Sequence, residues 1–439
     1  MSNIFEDAPI HKAFFSLALP SVFGKIIMVL YNLADTWFVA STGDANMVAG
    51  VSLISPIFMI LIALGDIFAI GGSSIVSRLM GAQQKEDTKR MSTLCFYASL
   101  IFGTILMVIL FLIKEPLMVL LGTDSYTYSH AADYYTYLVI GTPFILACNV
   151  PMNLLRSEGH AKASMAGSIT GSVTNIILDA VFIMGLHMGA AGAAIATVLG
   201  NIASILMYAL FYRKAEWISI SPKCFHFSWS DMKTVAVVGV PASLTNIMNS
   251  IAATLTNRFL LPYGNDVIAA WNIAAKCTMI CTMLIVSFSF SSLPLIGYNY
   301  GQKNYKRMKE ILKFIFTFEL CLTFACSILL TLCAPQLIAA FMNDAGIIAN
   351  GTQILRCQLL GTCFMAIILI CTCTFQATGN GKATLVSTLG RQGFVFIPVL
   401  FIFSHLWGYH GVLYTQPVTD LITTILVVTL LRKSITEMK

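Results

Sequence analysis

Long apolar stretches, separated by short charged or Gly/Asn/Asp-containing turns, recur along the chain. They fall at about 13–40, 46–77, 91–113, 134–155, 163–185, 190–212, 234–261, 266–296, 311–333, 354–376, 383–404 and 409–431. A helix needs about 20 apolar residues to cross a hydrocarbon core, so the pattern predicts twelve membrane-spanning helices. The first run is too long for the core of a cleavable leader and reads as a span. The expected fold is an all-α polytopic membrane protein.

Composition narrows this further. Of 439 residues, 57% are hydrophobic and 10% charged, against roughly a quarter charged in soluble domains. A water-soluble fold is excluded, and twelve spans leave no room for a sizeable extramembrane domain. The twelve cysteines fall almost entirely in apolar runs, where Cys acts as a small hydrophobe; no disulfide or metal framework is expected. The seven histidines lie at loops or span ends, which offers no metal centre.

The net charge of +6 is unevenly placed. Lys12, Arg78, Lys85, Lys89, Arg90, Arg156, Lys162, Arg213, Lys214, Lys223, Lys233, the Lys303–Lys313 cluster, Lys382, Arg432, Lys433 and Lys439 all fall on one side, against Lys114, Arg258 and Arg356 on the other. By the positive-inside rule both termini are cytoplasmic, in a cell (inner) membrane. Orientation accounts for the charge, and no nucleic-acid partner is needed.

The chain also repeats at an offset of about 220 residues. Pro20 aligns with Pro241, Thr42-Gly43-Asp44 with Tyr263-Gly264-Asn265, and Gly141-Thr142-Pro143-Phe144 with Gly361-Thr362-Cys363-Phe364. Leu155–Ala163 aligns with Phe375–Ala383, and Gly189 and Gly192 fall on Gly408 and Gly411. Six spans per repeat bring both halves in from the same side, giving parallel lobes about an axis along the membrane normal, which is transporter architecture. The expected divisions are an N-lobe at 1–215, a cytoplasmic linker at 216–233 and a C-lobe at 234–439.

An acid inside a span marks a pathway or a paired site. Asp35, Asp66, Asp179, Glu319 and Asp420 qualify, with Lys25, Lys276 and Arg391 as embedded bases. Four spans of the first half carry polar pairs at i,i+4, on one helix face each: Tyr31/Asp35, Asn149/Asn153, Asn175/Asp179 and Thr197/Asn201. The second-half counterparts are Ala252/Thr256, Leu369/Cys373, Val395/Val399 and Gln416/Asp420. A scaffold need common to both halves would not produce that difference. The pairs therefore define a candidate ion-coupling site in the first half, with Asp35 and Asp179 at similar depth. Two acids in a poorly hydrated pocket favour protonation, so the site would take up a proton or, transiently, sodium at Asp35 and Asp179. The plainer reading of the Asn and Thr residues is interhelical glue.

Asp66 reads either as a proton relay or as a partner of Lys25. Glu319 is expected to face a loop, lipid headgroups or a structural partner, Asp420 to pair with Arg391 or Lys276, and Glu158 to be a solvated cap. Pro20 recurs as Pro241 and is a candidate helix-bend. Met279, Met283, Phe288 and Phe290 suit an adaptable apolar cavity and equally an ordinary membrane core. Gly71-Gly72 lacks the strand and Lys of a phosphate loop. No cofactor is implied beyond the coupling ion.

These residues resemble the multidrug and toxic compound extrusion (MATE) family over essentially the whole chain. The likeness rests on Leu19-Pro20 through Tyr31-Asn32-Leu33-Ala34-Asp35-Thr36-Trp37, Ser77-Arg78-Leu79-Met80-Gly81-Ala82, and Arg156-Ser157-Glu158-Gly159 with Lys162. It extends to Asn175–Asp179 followed by Gly192–Thr197, and to Gln376-Ala377-Thr378-Gly379 with Arg391-Gln392. The resemblance implies a two-lobed antiporter, not an enzyme, that exports cationic or amphipathic small molecules for protons or sodium. It implies coupling at the positions matching Tyr31, Asp35, Asn175, Asp179 and Thr197, and bending at Pro20. Spans seven, eight and ten contain no carboxylate past Asp266 at the very start of the eighth, unlike the sodium-coupled pattern with acids in the second lobe. The expected partners are small substrates and the bilayer, with the chain a monomer. A flippase of lipid-linked sugars is the alternative, though it calls for a basic cavity; a membrane prenyltransferase calls for an Asp-rich motif that is missing.

Overall fold

The computed structural model describes residues 3–342 and 344–437; Lys439, counted above among the basic residues of one side, lies outside them. The described residues form helices joined by short turns, with no strand among them. In the first half these are α1 (Ile10–Ser41), α2 (Ala45–Gly81), α3 (Lys85–Leu112), α4 (Tyr128–Ile140 and Thr142–Ser157), α5 (Ala161–Asp179) and α6 (Gly189–Tyr212). The second half has α7 (Trp229–Leu260), α8 (Asn265–Gly301), α9 (Tyr305–Leu332) and α10 (Ala345–Thr378). It ends in the run Gly381–Glu437, which holds α11 and α12. Most spans extend a turn or more beyond their apolar runs, because polar first turns such as Lys85–Arg90 continue the helix outside the hydrocarbon.

Ten helices among the described residues are long and apolar enough to span, and the two pieces of α4, bent by 52°, make an eleventh. Pro143 causes that bend, since it has no N–H for the Val139 carbonyl and its ring crowds it. The last run contains two spans: Gly408, at φ 54° and ψ −128°, breaks it into α11 and α12. Among the described residues the count is therefore the expected twelve. α1 passes through Pro20 without interruption.

The repeat is carried in the backbone. α2 and α8 have 37 residues each, and α3 and α9 have 28 each. Left-handed φ values recur in pairs, at Gly43 and Gly264, Gln83 and Lys303, Gly159 and Gly379, and Gly189 and Gly408. The turns before α4 and α10 also recur: Asp124 accepts from the N–H groups of Tyr126 and Thr127, and Asp344 from those of Gly346 and Ile347.

The chain forms two compact units, Leu19–Ser243 and Ser2–Ala18 with Leu244–Lys439, so it changes unit within α1 and within α7. In the first unit the start of α7 lies against α2, where a Cβ on Gly71 would come within 2.5 Å of the Val235 carbonyl. In the second, Phe14 and Phe15 pack among Phe288, Phe314 and Phe318 with ring centroids 5.0–6.5 Å apart. Arg307 donates there to the carbonyls of Phe5 and Ala8.

Glu158 is not a solvated cap. The segment after α6 folds back over the end of α4, and Glu158, only 3% exposed, accepts from the N–H groups of Glu216 (2.7 Å) and Trp217 (3.0 Å). The same strap continues along α3: Ser219 N–H donates to Ser92, Thr93 donates to the Ser219 carbonyl, and Tyr97 to that of Ile220. Glu319 faces neither loop nor lipid headgroups; it is buried, and its partner is Ser289.

Candidate ion-coupling site in the first unit

Close approach of α5 and α6 builds the site. Gly167 and Gly171, four residues apart on α5, present a face without side chains, and a Cβ on Gly171 would lie 2.8 Å from the Gly200 carbonyl of α6. One turn further along α5, that approach sets Asn175 against Thr197. The Asn175 amide is satisfied at both ends when its NH2 donates to Asp179 Oδ2 (3.0 Å) and its oxygen accepts from the Thr197 N–H (3.1 Å). Immediately after Asp179 the helix widens into a π-helical turn, Ala180–Gly185, a distortion frequent at functional sites.

From α1, the Asp35 carboxyl meets that of Asp179 at hydrogen-bonding separation. Asp179 is fully buried, and Asp35 Oδ1 and Asp179 Oδ1 have no hydrogen-bond partner among the described residues. Two carboxyls in such contact hold a proton between them or a cation beside them. Tyr31 lies within electrostatic range of both acids. The structure thus brings Tyr31, Asp35, Asn175, Asp179 and Thr197 into one cluster.

The other three asparagines bond elsewhere. Asn149 donates to Asp66 Oδ1 at 3.3 Å, tying α4 to α2, while Asn153 and Asn201 donate to carbonyls one turn back on their own helices, those of Asn149 and Thr197. Lys25 is within electrostatic range of Asp66. In the second unit, Arg391 Nε donates to Asp420 Oδ1 at 2.9 Å, and Gln416 donates to the same oxygen.

One member of the cluster escaped sequence reading. Tyr134 of α4, 7% exposed, lies beside the Thr197 side chain and in electrostatic range of Asp35, Tyr31 and Asp179. It stands outside the i,i+4 pairs, but the repeat held a signal: at the 220-residue offset its counterpart is Ile354.

Two related six-helix halves, one of them carrying an acid pair inside its spans, define a polytopic membrane transporter. The MatE family model matches twice, over residues 20–181 and 241–402, and the chain belongs to that family. The multidrug export protein MepA of Staphylococcus saprophyticus is 30% identical over 98% of this chain and 96% of its own. MepA of Staphylococcus haemolyticus is 29% identical over 96% and 93%. Crystal structures of MATE in the straight and the bent conformation match with TM-scores of 0.92 and 0.93, each at 26% identity, covering 99% and 100% of this chain and 98% and 97% of theirs. The protein is a transporter rather than an enzyme.

Proposed function

We propose that this transporter is an antiporter that exports cationic or amphipathic small molecules in exchange for protons or sodium, coupled through Asp35 and Asp179. One observation carries the reading: the carboxyls of Asp35 on α1 and Asp179 on α5 are in direct contact, Asp179 fully buried and Asp35 half-buried, each with an oxygen lacking a hydrogen-bond partner among the described residues. Loading that pair with a proton or a cation removes a repulsion between the two helices, and unloading restores it, so ion occupancy and helix packing are linked. Tyr31, Tyr134, Asn175 and Thr197 supply the hydroxyl and amide groups that stabilise the unloaded acids. An acid pair suits positively charged cargo, and relatives described as multidrug export proteins support that substrate class. The distribution of Lys and Arg supports both termini on the cytoplasmic side, with the monomer as the working unit.

The test is efflux of ethidium from proteoliposomes under an inward proton or sodium gradient, each imposed alone. Gradient-driven efflux is expected from the wild type and a loss of at least tenfold in Asp35→Asn and Asp179→Asn. Undiminished transport by both variants overturns the reading, and the gradient that suffices names the ion.

A further inference from the structure

A second buried acid is left unused by this scheme. Glu319 sits midway along α9 and is 1% exposed. Its Oε2 accepts from the Ser289 hydroxyl of α8 at 2.7 Å. Its Oε1 has no hydrogen-bond partner among the described residues, and neither has the hydroxyl of Thr323, one turn further on the same face and also 1% exposed. No cationic side chain among the described residues pairs with it. On the helices packed around it, the titratable group in electrostatic range is Cys373 of α10, itself fully buried.

The repeat again serves as a control. At the 220-residue offset Glu319, Ser289 and Thr323 correspond to Ser99, Ala69 and Gly103. The scaffold thus holds together without an acid at this place in the first half. An ionised carboxylate at mid-span, with one neutral hydroxyl as its partner, is strongly disfavoured. Protonation removes that buried charge and puts an O–H on Oε1, on the helix face that also carries the unfilled hydroxyl of Thr323.

We propose that Glu319, with Ser289 and Thr323, is a proton-binding site of the second unit, additional to the Asp35–Asp179 pair. The bound proton stands on this geometry alone. Its use in driving export rests on the antiport reading above, where it adds one proton to each transport cycle.

The first arm is infrared spectroscopy of the purified transporter in lipid nanodiscs, in an Asp35→Asn/Asp179→Asn background that removes the first-unit acids. A protonated-carboxyl absorption is expected that disappears in Glu319→Gln and bleaches reversibly as pH rises. Absence of that absorption at low pH, its indifference to pH, or its loss on adding sodium at constant pH overturns the proposal. The second arm measures protons moved per tetraphenylphosphonium exported by proteoliposomes with Asp35 and Asp179 intact. Glu319→Gln is expected to move one proton fewer per cation, with export retained; an unchanged ratio overturns the coupling role. Loss of export in Asp35→Asn or Asp179→Asn alone bears on the antiport reading and leaves the infrared result independent of it.

Discussion

Tyr134 lies beside Thr197 and in range of the acid pair, and a single hydroxyl is at stake there. One hydrogen bond from such a hydroxyl contributes about 0.5–1.5 kcal/mol. Tyr134→Phe is therefore expected to weaken ion affinity between about two- and tenfold, read as the gradient needed for half-maximal efflux, with folding intact. Glu158 carries a heavier consequence. Glu158→Ala leaves the N–H groups of Glu216 and Trp217 without their acceptor, at about 1–3 kcal/mol, and thermal unfolding in detergent should register it; Glu158→Gln keeps an acceptor and should lose less. Burial also pushes the Glu158 carboxyl above the usual carboxylate range. An acid raised on folding contributes most at low pH and loses that contribution as pH rises through its raised value. The strap should therefore loosen in the wild type as pH rises from the ordinary carboxylate range through that raised value, and not in Glu158→Gln, as limited proteolysis of the 216–228 segment would report. The sequence revealed the acids and their i,i+4 partners because polar groups stand out in an apolar run. It did not reveal that Asn149 turns to Asp66, or that Glu158 is roofed by backbone, because both depend on which segment folds over which.

At the scale of elements, the site exists only because α5 and α6 come close enough for Asn175 to meet Thr197. Gly171→Ala would drive a Cβ into the Ser204 hydroxyl and to 2.8 Å from the Gly200 carbonyl, and that backbone cannot yield cheaply. Overpacking of this sort costs about 1–3 kcal/mol, so a lowered Tm together with lost gradient-driven efflux is expected. Gly24→Ala is the control for stability, since its nearest neighbour would be the Met165 side chain at 4.0 Å. Spans were the most legible feature of the chain, for their length and apolarity belong to the bilayer rather than to tertiary contacts. The bend of α4 and the break of the last helix were visible only as Pro143 and Gly408; nothing local says that one turns a helix and the other ends it. The π-helical turn after Asp179 left no mark in the sequence.

Across the whole molecule, the repeat divides the chain in the loop between α6 and α7, but packing does not follow that division. The first unit holds the start of α7, with Val235 against Gly71 of α2, and the second holds the segment before Leu19, with Phe14 among Phe288, Phe314 and Phe318. Offset matching could find the repeat, because equivalent turns need equivalent residues. It could not find these crossings, because an apolar helix reads the same whichever neighbour it covers. A protease site inserted between Phe225 and Ser228 would cut the chain into two fragments, each contributing to both units. Separation would expose the aromatic cluster of the second unit and uncover the glycine face of α2 in the first. The fragments are expected to co-purify through an affinity tag on either one after complete cleavage, and to unfold in one transition. If packing instead followed the loop, the cut would release two independent halves, and the tagged fragment would elute alone.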